Sequence, residues 1–283
     1  MLKRMRIFPR IFSDGLRLIL KSFGDFFRDN GIMLAGSISY FSMMALIPLC
    51  LFIITLFGYF LGNDTELLKY FSSKLINFFP KATSEIASQL QKIITYKKIG
   101  HISILIYGLL SFQLLSALET ATNSIFKTEK KRHFALSFIL QVLILTLIAV
   151  LIVMSFGATS AISLLTELKD YFPHIKISAF TKFVIKYIVP FVLITLSVAV
   201  MYILLPVRRV KISSALKGAF FTAVMYETAK NLFTFYVAKA THLGTVYGPL
   251  SAFTIFLLWV YYSASIFLTG AELVHNIENR QVR

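Results

Sequence analysis

An all-α fold, a polytopic membrane protein with six transmembrane helices and amphipathic helices at the interfaces, is what this sequence predicts. Three observations lead there. The 283 residues are 57% hydrophobic and only 15% charged, with a mean hydropathy of +0.75, against about 45–50% apolar and about 25% charged for a soluble domain. Several apolar runs approach or exceed the ~20 helical residues that cross a hydrocarbon core. The basic residues fall in clusters between those runs rather than on one domain, so the net charge of +16 reads as loop topology and contact with anionic headgroups. A soluble enzyme is excluded, and nucleic acid is not an expected partner; the bilayer is.

The chain opens with a basic segment, residues 1–30. Phe12, Leu16, Ile19, Leu20, Phe23 and Phe27 form one helical stripe, with Arg17, Lys21 and Arg28 off it. Such a helix either lies along the inner leaflet or caps the bundle's cytoplasmic end. No cleavable signal is visible, and the first apolar run is too long for an h-region, so it is expected to act as an uncleaved anchor.

The spans are read at about 32–61, 101–125, 134–165, 183–205, 213–238 and 248–274, in one integral membrane domain covering 1–283. In the first, Ala35, Ser39 and Ser42 share a face where a neighbouring helix can approach closely. Pro48 removes a backbone bond and predicts a kink. The alternative is that kink and hydroxyls line a cavity. Cys50, the lone cysteine, can form no intrachain disulfide. The outer loop, 62–100, carries stripes at Leu67, Leu68, Phe71 and Leu75 and at Ile86, Leu90, Ile93 and Ile94, broken by Phe78-Phe79-Pro80. Two short interfacial helices are expected there.

Orientation follows from the loops. Lys127, Lys130, Lys131 and Arg132 fill one short loop, and Arg208, Arg209, Lys211 and Lys217 another, on the side of the basic N-terminus and of Arg280 and Arg283. By the positive-inside rule both termini are cytoplasmic. Glu119 and Glu272 close their spans on that side, where Arg208 and Arg209 are the obvious candidates for ion pairs.

The fifth span carries the most informative residues, Glu227 and Lys230. At spacing i, i+3 they share a helix face. Glu227 lies ten residues beyond Lys217, about 15 Å along the helix, or half of a core about 30 Å thick. Ionisable groups at that depth are costly, normally paired and turned inward. The pair is therefore expected inside the bundle, either as a site for a polar substrate group or a proton relay, or as a packing pair. Asn231 and Tyr236 continue its polar stripe. Before the sixth span, Tyr247, Gly248 and Pro249 mark a sharp helix start, whose free amides are an alternative anion site. Trp259, Tyr261 and Tyr262 fall mid-span, so their polar atoms are expected to bond within the bundle. The histidines at 101, 133, 174, 242 and 275 show no metal-ligand spacing, and no catalytic constellation or phosphate-binding loop is present. No cofactor, metal or catalytic residue is expected.

Tyr226-Glu227-Thr228-Ala229-Lys230, Val246-Tyr247-Gly248-Pro249-Leu250, Phe256-Leu257-Leu258-Trp259-Val260-Tyr261-Tyr262-Ser263 and Gly270-Ala271-Glu272-Leu273 together carry a resemblance. With Leu34-Ala35 to Ile47-Pro48, Leu118-Glu119, Asn123 and Leu205-Pro206-Val207-Arg208-Arg209, they make the chain similar to the YihY/virulence factor BrkB family of bacterial inner-membrane proteins. Pro249 stands where a small Ser is more usual, and Met225-Tyr226 replaces a Trp-containing pair. The resemblance implies a six-helix inner-membrane protein. It brings a ribonuclease label that these residues do not support, since they provide no acid/base set outside the membrane. The leading expectation is translocation of an amphipathic or lipid-like substrate, and the alternative is an accessory protein that organises partners.

Overall fold

The computed structural model describes residues 7–60, 101–130, 132–167, 184–239 and 251–282, with side-chain surroundings for most of them. The outer loop with its two stripes, and the Tyr247-Gly248-Pro249 turn, lie outside these residues, as do the side chains of Pro48 and Cys50. Among the described residues the chain is all-helical: α1 (Ile7–Arg28), α2 (Gly31–Phe60), α3 (His101–Ile125), α4 (Phe134–Glu167), α5 (Val189–Leu204), α6 (Ile212–Lys239) and α7 (Ser251–Val282). Each of α2 to α7 falls on a predicted span. By length and composition the stretch Phe253–Arg280 suffices to cross a bilayer. Gly31–Ala45, Phe134–Ile148 and Val189–Leu204 are apolar but shorter.

The fourth span departs from the single helix expected. It starts as a π-helical turn, Val184–Ile188, and becomes α-helical at Val189. Pro190 supplies the reason: it has no N–H to give, and its ring crowds the carbonyl four residues back, which a wider π turn relieves. α2, by contrast, stays α-helical through Pro48.

The chain divides into two compact units. One comprises residues 1–29, 122–226 and 269–283, and the other 30–121 and 227–268. In the first unit α4 packs along α5 and its π turn. α6 and α7 meet there through small residues: Ala215, Gly218, Ala219, Thr222 and Ala223 on α6 are buried, as are Gly270 and Ala271 on α7. A Cβ on Gly218 would lie 2.2 Å from Val274 Cγ2 and 3.1 Å from the Gly270 carbonyl; one on Gly270 would lie 1.9 Å from Thr222 Oγ1. Only glycine permits this approach, the usual device for packing helices in lipid. In the second unit Ala35, Ile38 and Ser39 of α2 are buried and Ser42 is half-buried.

Two left-handed residues end helices. Asn30 (φ 58°) closes α1, and Lys127 (φ 53°) closes α3. At the second, Lys127 N–H bonds Ser124 O and Thr128 N–H bonds Asn123 O, at 3.1 and 3.0 Å. These bonds satisfy carbonyls that a helix end leaves free.

Candidate functional site

Glu227 and Lys230 form the ion pair their spacing predicts, Nζ to Oε1 at 2.5 Å. They are not enclosed in a bundle: the side chains are 42% and 47% exposed. The pair is made along one helix, so neither charge needs a second helix to satisfy it. Asn231 is exposed four residues on from Glu227, and its Nδ2 donates to the Glu227 carbonyl at 2.9 Å. Thr234 Oγ1 likewise donates to Lys230 O at 2.8 Å. Tyr236 is exposed and its ring stands 6.3 Å from Phe233. Phe233 also packs on Trp259 at 4.9 Å, which gives this end of α6 an aromatic flank. Tyr261 is half-buried beside Tyr262, but Tyr262 is exposed, contrary to the expectation that it bonds within the bundle.

A second polar constellation stands in the other unit, and the sequence pointed to only part of it. On α7, Glu272, His275, Asn276 and Glu278 are all buried. Asn276 Nδ2 donates to Ser22 Oγ at 3.1 Å and Asp25 Oδ2 at 2.9 Å, tying α7 to α1. His275 packs edge-on to Phe126, with ring centroids 5.5 Å apart, and its Nε2 pairs with Asn279 Nδ2 at 2.8 Å. Glu278 Oε1 accepts from Lys211 N–H at 3.4 Å, a long contact at the N-terminus of α6, where a negative group is favoured by the helix dipole.

The predicted pairing of Glu272 with Arg208 or Arg209 is not made. Glu272 is 1% exposed, and the side chain within hydrogen-bond reach of its carboxyl is that of Asp29. Asp29, Asp25 and Lys127 all act on it electrostatically. Lys127 Nζ reaches Asp29 Oδ2 at 3.1 Å. Arg208 turns instead to Asn279 Oδ1 at 3.4 Å, and Arg209 is exposed. The reason is geometric: the left-handed turn at Lys127 ends α3 beside α1, so a lysine from a different loop meets the carboxylates first. Glu119 is buried and belongs to the other unit.

Sequence reasoning missed Arg132 as a specific ligand of the backbone. Its guanidinium donates to the carbonyls of Leu204 (2.8 Å), Leu205 (3.4 Å) and Pro206 (2.6 Å). Asn123 Oδ1 accepts from Val207 N–H at 2.8 Å in the same turn. Together they close the C-terminus of α5, where orphan carbonyls and the negative end of the dipole favour a cation. The α7 stripe was legible in principle, since Glu272, His275, Asn276 and Asn279 recur at i, i+3, i+4 and i+7. Among the described residues no group of three or more His, Cys, Asp or Glu is arranged to hold a metal ion.

Apolar helices packed through glycine contacts, with polar groups gathered at helix ends, define the class: an integral membrane protein of the helical kind. The chain belongs to the virulence factor BrkB family, whose profile matches residues 22–283. It is 32% identical to a UPF0761 membrane protein of Idiomarina loihiensis, over 93% of this chain and 92% of that one. A UPF0761 membrane protein of Haemophilus influenzae is 27% identical over 92% of this chain and 96% of its own. One of Chlorobium limicola is 30% identical over 89% of this chain, which spans only 56% of that longer relative. No solved structure matches.

Proposed function

We propose that this protein moves an amphipathic or lipid-like solute across the bacterial plasma (inner) membrane, with Glu227 and Lys230 as its polar contact. One observation carries the reading: the ion pair lies about 15 Å beyond Lys217 along α6, yet both side chains are more than two-fifths exposed. A pair that served only to lock helices together would be enclosed. A half-exposed pair facing hydrocarbon would be very costly. A polar space open to water or to a solute headgroup removes that conflict. In this reading α2 to α7 each cross the bilayer, both termini are cytoplasmic, and the protein works without catalytic chemistry, cofactor or nucleic acid.

The test uses the full chain in vesicles carrying a fluorescent phospholipid in one leaflet, with quencher access as readout. Transport is expected in the wild type and lost in Glu227→Ala/Lys230→Ala at equal insertion. Wild-type rates in the double variant would remove the pair from the mechanism. A second arm places Lys230→Cys in a Cys50→Ala background. Rapid reaction with a membrane-impermeant thiol reagent is expected, whereas protection from both sides would favour an accessory role with no cavity.

A further inference from the structure

We propose that the groove between α1, α6 and α7 holds one anionic phospholipid of the cytoplasmic leaflet, acyl chain inward and phosphate at Lys217 and Arg280. Two adjoining hollows of about 440 and 530 Å³ share Ile19, Lys217 and Leu273. The second continues along α6 past Leu216, Phe220, Phe221 and Val224, so that beyond Lys217 its lining is wholly apolar. Phe220 is 57% exposed there although its ring already packs on Phe191. Lys217 to Val224 is seven residues, about 10 Å of helix, which makes a slot deep enough to take the upper part of a hydrocarbon chain. The first hollow, at the other side of Lys217, adds Gly15, Leu18, Ile277 and Arg280. A Cβ on Gly15 would meet nothing within 4 Å, so that face of the hollow is open.

The charge pattern selects the headgroup. Lys217 and Arg280 are the ionisable residues lining the two hollows, and no carboxylate lines either. A choline or ethanolamine group would find no anion to meet, while a phosphate with net negative charge meets two cations. Basic pockets between helices on the cytoplasmic side favour anionic headgroups for this reason. At roughly fivefold per basic residue, the two cations predict about a 25-fold preference over a zwitterionic lipid. The inference rests on the inward placement of Lys217 but not on transport: a lipid held here stands whether or not Glu227 and Lys230 move a solute.

The experiment is native mass spectrometry of the full chain in mild detergent, titrated with phosphatidylglycerol, phosphatidylcholine or inorganic phosphate. One phosphatidylglycerol per chain is expected, held about 25-fold more tightly than phosphatidylcholine. Lys217→Gln/Arg280→Gln, at exposed positions, should reduce it to the phosphatidylcholine level. Gly15→Trp, which fills open space, should weaken both lipids at least about tenfold with an unchanged unfolding temperature. Equal retention of the two lipids by the wild type, or an unchanged preference in the double variant, overturns the proposal. So does displacement by millimolar phosphate, which marks a free-anion site, or a dimer that Gly15→Trp dissociates, which marks a protein interface. Selective retention of phosphatidylglycerol by a wild-type chain that moves no phospholipid would overturn the transport reading alone, and transport without selective retention would overturn the lipid site alone.

Discussion

Replacing Gly270 by Ala tests the packing that holds α6 and α7 together. The new Cβ would stand 1.9 Å from Thr222 Oγ1, 2.3 Å from Tyr202 Oη and 3.3 Å from Thr222 Cβ. Ordinary contact begins near 3.4 Å, so these oxygens must yield by more than an ångström. They cannot do so freely. Tyr202 and Thr222 are 0% and 3% exposed, and their hydroxyls are bonded to each other at 2.8 Å; the β-branched Thr is also stiff at χ1 in a helix. Alanine recovers ~1 kcal/mol of helix propensity. Against it stand ~1–3 kcal/mol of overpacking and ~0.6–2 kcal/mol for the interhelical hydrogen bond. The net is a loss of about 1–4 kcal/mol, seen as a fall of roughly 3 °C or more in the unfolding temperature of the detergent-solubilised protein. The same substitution in a Tyr202→Phe/Thr222→Ala background, where both oxygens are gone, should cost less than ~1 kcal/mol. If Gly270→Ala is silent, or if its cost is the same in both backgrounds, the close-approach argument fails.

Three further outcomes follow from named contacts. Arg132→Ala should destabilise by about 1–3 kcal/mol because the carbonyls of residues 204–206 lose their donor; Arg132→Lys should recover little, since a lysine cannot fork across three acceptors, and thermal unfolding of both variants decides it. Glu272→Gln should be neutral or stabilising by up to ~2 kcal/mol, because an amide donates to Asp29 without setting a second acidic group beside it; a clear loss of stability would mean that the Glu272 carboxyl itself holds Asp29 in place. Asn276→Leu should lower stability by about 1–3 kcal/mol, since it strips a donor from buried Ser22 and takes one partner from half-buried Asp25; faster protease cleavage within α1 is the second readout, because that contact ties α1 to α7.

The elements were largely legible in the sequence because apolar runs of helical length have few alternatives in a bilayer, where every backbone group must be satisfied within the segment. The π turn was not. Pro190 was visible, but whether its missing bond is absorbed by a kink, a break or a wider turn depends on what α5 packs against. Glu227 and Lys230 were placed on one face by spacing alone, and they pair there. Their exposure could not be read from spacing, because it depends on what surrounds the C-terminal half of α6. The Glu272 environment shows the same limit: charge count pointed to Arg208 and Arg209, whereas the backbone turn at Lys127 delivers a different cation.

Composition and periodicity by themselves determined a helical membrane protein, its segments and one ion pair within a single helix, since those depend on local spacing and on the cost of polar groups in hydrocarbon; the motifs carried the family resemblance. Tertiary structure alone decided which small residues let α6 and α7 touch and which arginine closes α5. It also decided that Glu272 sits against Asp29 and that an apolar groove with a cationic rim lies beside α1. Each of these depends on side chains distant in sequence meeting within a few ångströms. Helix rotation and approach set those distances, and one helix's sequence does not encode them.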